Sequence, residues 1–273
     1  MASALPIYQV DAFTHQPFRG NPAGVCITDQ PLSQALMQQI AAELNLSETA
    51  FAVPEGAEGS YHLRWFTPVC EVKLCGHATL ATAKVLFEST ALSQVRFRTL
   101  SGELQVVRQG DQLTMALPVD SPEPVPHPIG LNEALGAQTI SELRLGRDSR
   151  KLLVRLDNPA ELVPLRPNFG LLAELERRLE LNGFIATCEG AGETHFMSRF
   201  FGPGVGINED PVTGSAHTLL APYWSRKLGL RRMHAYQASP RGGWLDVELF
   251  DDRVELTGSA VIVMESRLFT NGT

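Results

Sequence analysis

The sequence predicts an α+β protein of two similar domains, each wrapping strands around one central helix. Three observations carry that prediction. The first is a short internal repeat. Arg64-Trp65-Phe66-Thr67-Pro68 leads to Gly76-His77-Ala78-Thr79-Leu80, and Arg199-Phe200-Phe201-Gly202-Pro203 leads to Gly214-Ser215-Ala216-His217-Thr218-Leu219. Each reads as a strand, a proline turn and a glycine-led helix of small and apolar residues. The second is that the first of these helices is apolar nearly all round, which is the pattern of a buried helix, and the second is mostly apolar. The third is the stretch 118–130, PVDSPEPVPHPIG, which carries five prolines. Proline lacks a backbone donor and disfavours helix in the residue before it, so this stretch reads as the linker. The predicted domains are 1–117 and 131–256. At 273 residues the chain is long enough for one large domain or two small ones.

Along the first half, Leu5 to Phe13 and Ala23 to Thr28 read as strands. Pro31 to Leu44 reads as a helix: Pro31 suits a first helical turn, and Leu32, Leu36, Met37, Ile40 and Leu44 recur at helical spacing. Thr49 to Val53 and Ser60 to Thr67 read as strands, the latter with Tyr61, Leu63 and Trp65 on one face. In Gly76 to Ser89, Lys84 is the only internal charge, and the small residues near its start permit close approach by other backbone. Strands follow at Gln94 to Leu100, Glu103 to Val107 and Gln112 to Leu117. In the second half, Lys151 to Leu156, Gly183 to Cys188 and His195 to Phe201 read as strands. Asn168 to Leu179 reads as an amphipathic helix and Gly214 to Leu228 as a mostly apolar one. Arg232 to Ala238, Trp244 to Leu249 and Arg253 to Met264 read as closing strands.

Composition removes several function classes. Hydrophobic residues are 44% and charged residues 19%, the values of a globular chain that buries a core. No apolar run approaches the ~20 residues of a membrane helix, and the N-terminus lacks the basic start and apolar segment of a signal peptide. The net charge of -7 argues against nucleic acid as a partner, and no motif points to a membrane. Cys26, Cys70, Cys75 and Cys188 form no CxxC pair, and the seven histidines form no HxxxH or HExxH cluster. The expectation is a reduced, cytosolic protein with neither a structural metal nor a disulfide framework. There is no G-x-S-x-G elbow, and Gly202-Pro203-Gly204-Val205-Gly206 is neither GxGxxG nor a P-loop.

Four positions are candidates for chemistry. Helix starts at Gly76-His77 and Gly214-Ser215 leave backbone N–H groups unpaired and suit a carboxylate, although these glycines equally suit helix–strand packing. Glu48, flanked by Leu46, Ala50 and Phe51, is placed for partial desolvation, which raises a carboxylate toward the range of a general base. A surface loop or helix-end cap fits the same position. His77 at a positive helix end favours a neutral imidazole, or simply a cap of its own helix. Asp210, before Pro211-Val212-Thr213-Gly214, fits a turn or cap as well as a catalytic role. Ser215 and His217, two apart on a helix, point away from each other and make no nucleophile–base pair.

Taken in order, several blocks resemble the PhzF family, named for the phenazine-biosynthesis isomerase. They are Val10-Asp11-Ala12-Phe13 with Pro17-Phe18-Arg19-Gly20-Asn21-Pro22-Ala23-Gly24-Val25, then Leu46-Ser47-Glu48-Thr49-Ala50-Phe51 and Phe66-Thr67-Pro68. Glu71-Val72-Lys73-Leu74-Cys75-Gly76-His77-Ala78-Thr79 and Asp210-Pro211-Val212-Thr213-Gly214-Ser215-Ala216 complete the set. The resemblance implies the diaminopimelate-epimerase-like fold, with pseudo-symmetric domains, a cleft between them, and a last strand, about 257–273, that returns to the first domain. It implies an isomerase without metal or organic cofactor that moves a proton between carbons of a small carboxylate substrate. It assigns Glu48 as the acid/base, with His77, Asp210 and Ser215 lining the cleft and the amides at Gly76 and Gly214 binding the carboxylate. It also implies a homodimer. Related epimerases use two thiols. Cys75 resembles one of them, but Asp210 to Ala216 contains no cysteine, which makes a two-base racemase the weaker alternative. A non-catalytic binder of a small aromatic acid is the other alternative, and the intact acid/base set argues against it.

Overall fold

The computed structural model describes residues 3–270. The chain forms two compact units, one running to Ala116 and resuming at Thr257, the other Leu117–Leu256.

In the first unit, β1 (Ser3–Ala12), β2 (Asn21–Ile27), β3 (Glu48–Pro54), β4 (Ser60–Phe66), β6 (Gln94–Thr99), β7 (Gly102–Gln109) and β8 (Gln112–Pro118) pair in that order, and β5 (Glu71–Val72) pairs β4. Helix α1 (Gln34–Leu44) connects β2 to β3, and α2 (Gly76–Ser89) connects β5 to β6. α1 begins later than Pro31 because Ser33 caps it, its side chain accepting from the Leu36 N–H. Asn45, left-handed at φ 50°, closes it. α2 has the predicted span. All residues from Gly76 to Phe87 except Lys84 are buried, and the helix packs on β1, β2 and β3. Lys84 reaches solvent and pairs with Glu88 at 2.6 Å.

The second unit repeats the pattern with β10 (Glu142–Gly146), β11 (Leu152–Arg155), β12 (Phe184–Glu189), β13 (Phe196–Gly202), β14 (Ile207–Asp210), β15 (Arg232–Gln237) and β16 (Gly243–Leu249). β1–β2 is antiparallel, β2–β3 parallel, β3–β4 antiparallel, β4–β6 parallel and β6–β7 antiparallel. β10–β11, β11–β12, β12–β13, β13–β15 and β15–β16 follow the same alternation. The short side strands β5 and β14 occupy matching places, each just before the buried helix. α6 (His217–Leu228) is the counterpart of α2. Its Trp224 is fully buried, stacks on Phe196 with ring centroids 5.8 Å apart, and donates to Thr187 Oγ1 at 3.0 Å. Helices α3 (Leu131–Leu135), α4 (Pro159–Leu162) and α5 (Phe169–Leu179) add a leucine-rich core layer around Phe184 and Phe201.

Three further expectations need correction. Residues 118–130 are not a free linker but part of the second unit. β9 (Pro122–Pro124) pairs with β10, where an edge position tolerates proline, and the Asp120 carboxylate accepts from the Asp148 and Ser149 amides at 3.1 Å each. The expected strand Arg253 to Met264 is two, β17 (Arg253–Gly258) and β18 (Ala260–Thr270), broken at Ser259, whose carbonyl accepts from the Thr14 N–H. β18 runs antiparallel along β1 from Ala12 to Ser3. Residues 271–273 of the predicted returning strand lie outside the described residues. Finally, α6 starts at His217 rather than Gly214, because Gly214–Ala216 form a single 3₁₀ turn first.

Candidate functional site

The sequence-predicted residues fall into two polar groups, one per unit. In the first, Glu48 opens β3, and β3 runs parallel to β2, which holds Asn21 at its start. Gly20 enforces that entry. It is left-handed at φ 63°, and a Cβ there would lie 2.1 Å from the Ala12 carbonyl oxygen. Asp11 fixes the preceding loop, its carboxylate accepting from the Phe18 N–H at 2.7 Å. Glu48 is 8% exposed and His77 5%, and His77 Nε2 stands 3.4 Å from Glu48 Oε2.

The neighbours of His77 favour one tautomer. The Ser47 hydroxyl has one proton and two oxygen acceptors in reach, the Pro22 carbonyl at 3.2 Å and Asn21 Oδ1 at 3.4 Å. With that proton given to an oxygen, Ser47 Oγ accepts from His77 Nε2–H at 3.3 Å, the tautomer that also turns an N–H rather than a lone pair toward the Glu48 carboxylate. His77 Nδ1 is left as an acceptor, and the Cys75 thiol donates to it at 3.5 Å. Burial pushes the His77 imidazole down to about 3, so it stays neutral with one proton. Glu48, Cys75 and His77 are also a potential ligand set, with donor atoms within 4.8 Å of one another. The imidazole stands between thiol and carboxylate and shows each a different nitrogen.

In the second unit, Asp210 ends β14 and accepts from the Thr213 hydroxyl. Gln237, fully buried on β15, ties the turn together. It accepts from the Thr213 N–H at 2.8 Å and donates to the Asp210 carbonyl at 2.7 Å. His217 Nδ1 donates to the Thr213 carbonyl at 3.0 Å, which leaves Nε2 as the acceptor nitrogen. Burial is the chief reason that this imidazole is pushed down to about 4. Ser215 Oγ accepts from Lys151 Nζ at 2.7 Å. Burial lowers the Lys151 ammonium to about 8, against the pull of Asp120 and Asp210.

Glu48, Cys75, Gly76 and His77 are thus neighbours, and Asp210, Gly214 and Ser215 share one turn. Sequence reasoning missed Ser47, Gln237 and Lys151. Ser47 adjoins Glu48 and was within reach of it. Lys151 and Gln237 are 64 and 24 positions from their partners, and no local spacing announces such pairings.

Two topologically matched α+β units, with a carboxylate beside a neutral imidazole in one and an Asp–Thr–Ser turn in the other, belong with the PhzF-like isomerases and epimerases. The chain is a member of the PhzC-PhzF family, described as phenazine biosynthesis-like protein, whose family model matches residues 10–266. It is 47% identical to a Pseudomonas aeruginosa protein named an uncharacterised isomerase, over 97% of this chain and 98% of that protein. The crystal structure of a PhzF-family phenazine biosynthesis protein from Enterococcus faecalis is 42% identical, with a TM-score of 0.92 over 98% of this chain and 100% of that one. A hydroxyproline epimerase from Agrobacterium vitis, 11% identical, shares the fold at a TM-score of 0.64, over 98% and 94% of the two chains.

Proposed function

We propose that this protein is a cofactor-independent isomerase that moves a proton between carbons of a small carboxylate substrate, with Glu48 as the acid/base. The observation that carries the reading is Glu48 Oε2 at 3.4 Å from a histidine that burial keeps neutral. A neutral His77 places an N–H dipole beside Glu48 rather than a full positive charge, so the carboxylate keeps its basicity. Glu48 takes a proton from one carbon, the C–H electron pair enters the substrate's conjugated system, and the same carboxyl returns the proton to another carbon. His77, through Ser47, holds Glu48 and its own tautomer in place. Asp210 and Ser215 orient the polar groups of the substrate, and the amides at Gly76 and Gly214 receive its carboxylate. The proton needs no metal or organic carrier, so dialysis against a chelator leaves turnover unchanged.

The test is isomerisation of dihydro-hydroxyanthranilate by the wild type and Glu48→Gln, with binding measured alongside. The expected result is a loss of turnover of roughly 10²–10⁴-fold with binding retained. Loss of binding in Glu48→Gln, with no turnover by the wild type on any carboxylate, supports a non-catalytic binder instead.

A further inference from the structure

Lys151 stands just before β11, next to Ser149 and 64 positions from Ser215. Its ammonium is unusual in its partner. A lysine held in protein ordinarily pairs with a carboxylate, because an uncompensated charge out of water is costly. Here Nζ donates to the Ser215 hydroxyl at 2.7 Å. The two carboxylates that act on it are engaged elsewhere, Asp120 with the Asp148 and Ser149 amides and Asp210 with the Thr213 hydroxyl. The Phe200 ring lies on another side of Nζ, 5.8 Å to its centroid, and the neutral His217 is the remaining titratable group that it acts on.

An ammonium has three donors and no acceptor, so Ser215 Oγ can only accept from it. The hydroxyl proton of Ser215 therefore points away from Lys151, and among the described residues nothing accepts it. A half-buried cation and an uncommitted O–H in one place are complementary to an anionic oxygen.

We propose that Lys151 is a positioning residue of this turn: by donating to Ser215 Oγ it commits the Ser215 hydroxyl to donate to the ligand, and it selects a ligand with a carboxylate at that point. This rests on the reading of Ser215 as a substrate contact.

Benzoate and benzamide, alike in shape and different in charge, are the probes, and isothermal titration at pH 6.5 is the measurement. The wild type should prefer benzoate by about tenfold or more, the scale of one charge-assisted hydrogen bond. Lys151→Met should remove the preference, and Lys151→Arg should restore part of it, which a purely structural role would not do. In the wild type alone, benzoate affinity should fall as pH rises through about 8, where the ammonium is lost. Circular dichroism and thermal midpoints check that each variant is folded, and Lys151→Gln serves if Lys151→Met is not. A wild type without preference for benzoate, or a folded Lys151→Met or Lys151→Gln variant that keeps it, overturns the proposal. Proton exchange separates the two readings. An enzyme that exchanges protons but ignores Lys151 defeats this inference alone. One that binds benzoate through Lys151 but exchanges no carboxylate defeats the acid/base assignment alone.

Discussion

At the scale of single residues, the proton inventory around His77 decides between chemistries. The imidazole has one proton, and Ser47 Oγ and Glu48 Oε2 face the nitrogen that holds it. In that tautomer the Cys75 thiol donates to Nδ1. Cys75→Ser keeps a donor in place and should retain proton exchange to within roughly tenfold, the worth of one weakened hydrogen bond. Cys75→Ala should lose more, because Nδ1 is left buried without a donor. A two-thiol racemase would instead lose essentially all activity in Cys75→Ser, so exchange rates of the two variants separate the readings. The local sequence put Glu48 and His77 forward, because a carboxylate among apolar neighbours and a histidine at a buried helix start are visible from composition. It gave no sign of Lys151 or Gln237, whose partners arrive through the pairing of β11, β13 and β15 rather than through spacing along the chain.

At the scale of elements, the buried helices were legible, α2 to its ends and α6 except for its start. α2 is read directly from a segment with one internal charge, since a helix surrounded by strands has no wet face to mark. Leu80, fully buried in α2, should cost about 2–5 kcal/mol as Leu80→Ala, measured by chemical denaturation. α6 was read three residues early because Gly214–Ala216 continue the apolar pattern. The 3₁₀ turn there is set by the Thr213 carbonyl, which accepts from both the Ala216 N–H and His217 Nδ1–H. Strands β9 and β10 escaped notice for a related reason. β9 is an edge strand of alternating prolines, and β10 alternates charge with leucine over only five residues. Gly20→Ala tests the signature loop. The left-handed backbone alone costs about 1–3 kcal/mol, and the contact with the Ala12 carbonyl adds to it, so its thermal midpoint should fall clearly below that of the wild type.

At the scale of the whole molecule, three buried titratable groups contribute to the response to acid. His77 and His217 accept protons only at about 3 and about 4, whereas unfolded histidine does so near 6.5. Below pH 6.5 the unfolded chain therefore binds protons that the folded chain refuses, and stability falls as pH falls toward 4. Each histidine contributes a slope of about 1.4 kcal/mol per pH unit inside that window. Glu176 acts in the opposite sense. Burial raises it to about 7, so between about 7 and 4.5 the folded chain holds a proton that the unfolded chain lacks, and acidification stabilises. Denaturation curves from pH 7 to pH 4 should show a net loss, steeper in Glu176→Gln, where the compensating uptake is gone. A loss no steeper in Glu176→Gln would contradict the burial argument. Of this balance only the neutral His77, at the start of a buried helix, was visible in the sequence; the burial of His217 and Glu176 is a property of the assembled fold. The repeated order of strands and buried helices was visible, because each unit carries its own copy.

The most direct test of the central claim is solvent deuterium incorporation, followed by mass spectrometry in D2O across a panel of cyclic and amino-acid-like carboxylates, for the wild type and Glu48→Gln. Glu48 as the proton carrier predicts incorporation by the wild type into at least one compound and none above background by a folded Glu48→Gln. Incorporation by Glu48→Gln at the wild-type rate would contradict it and move the acid/base role to another group.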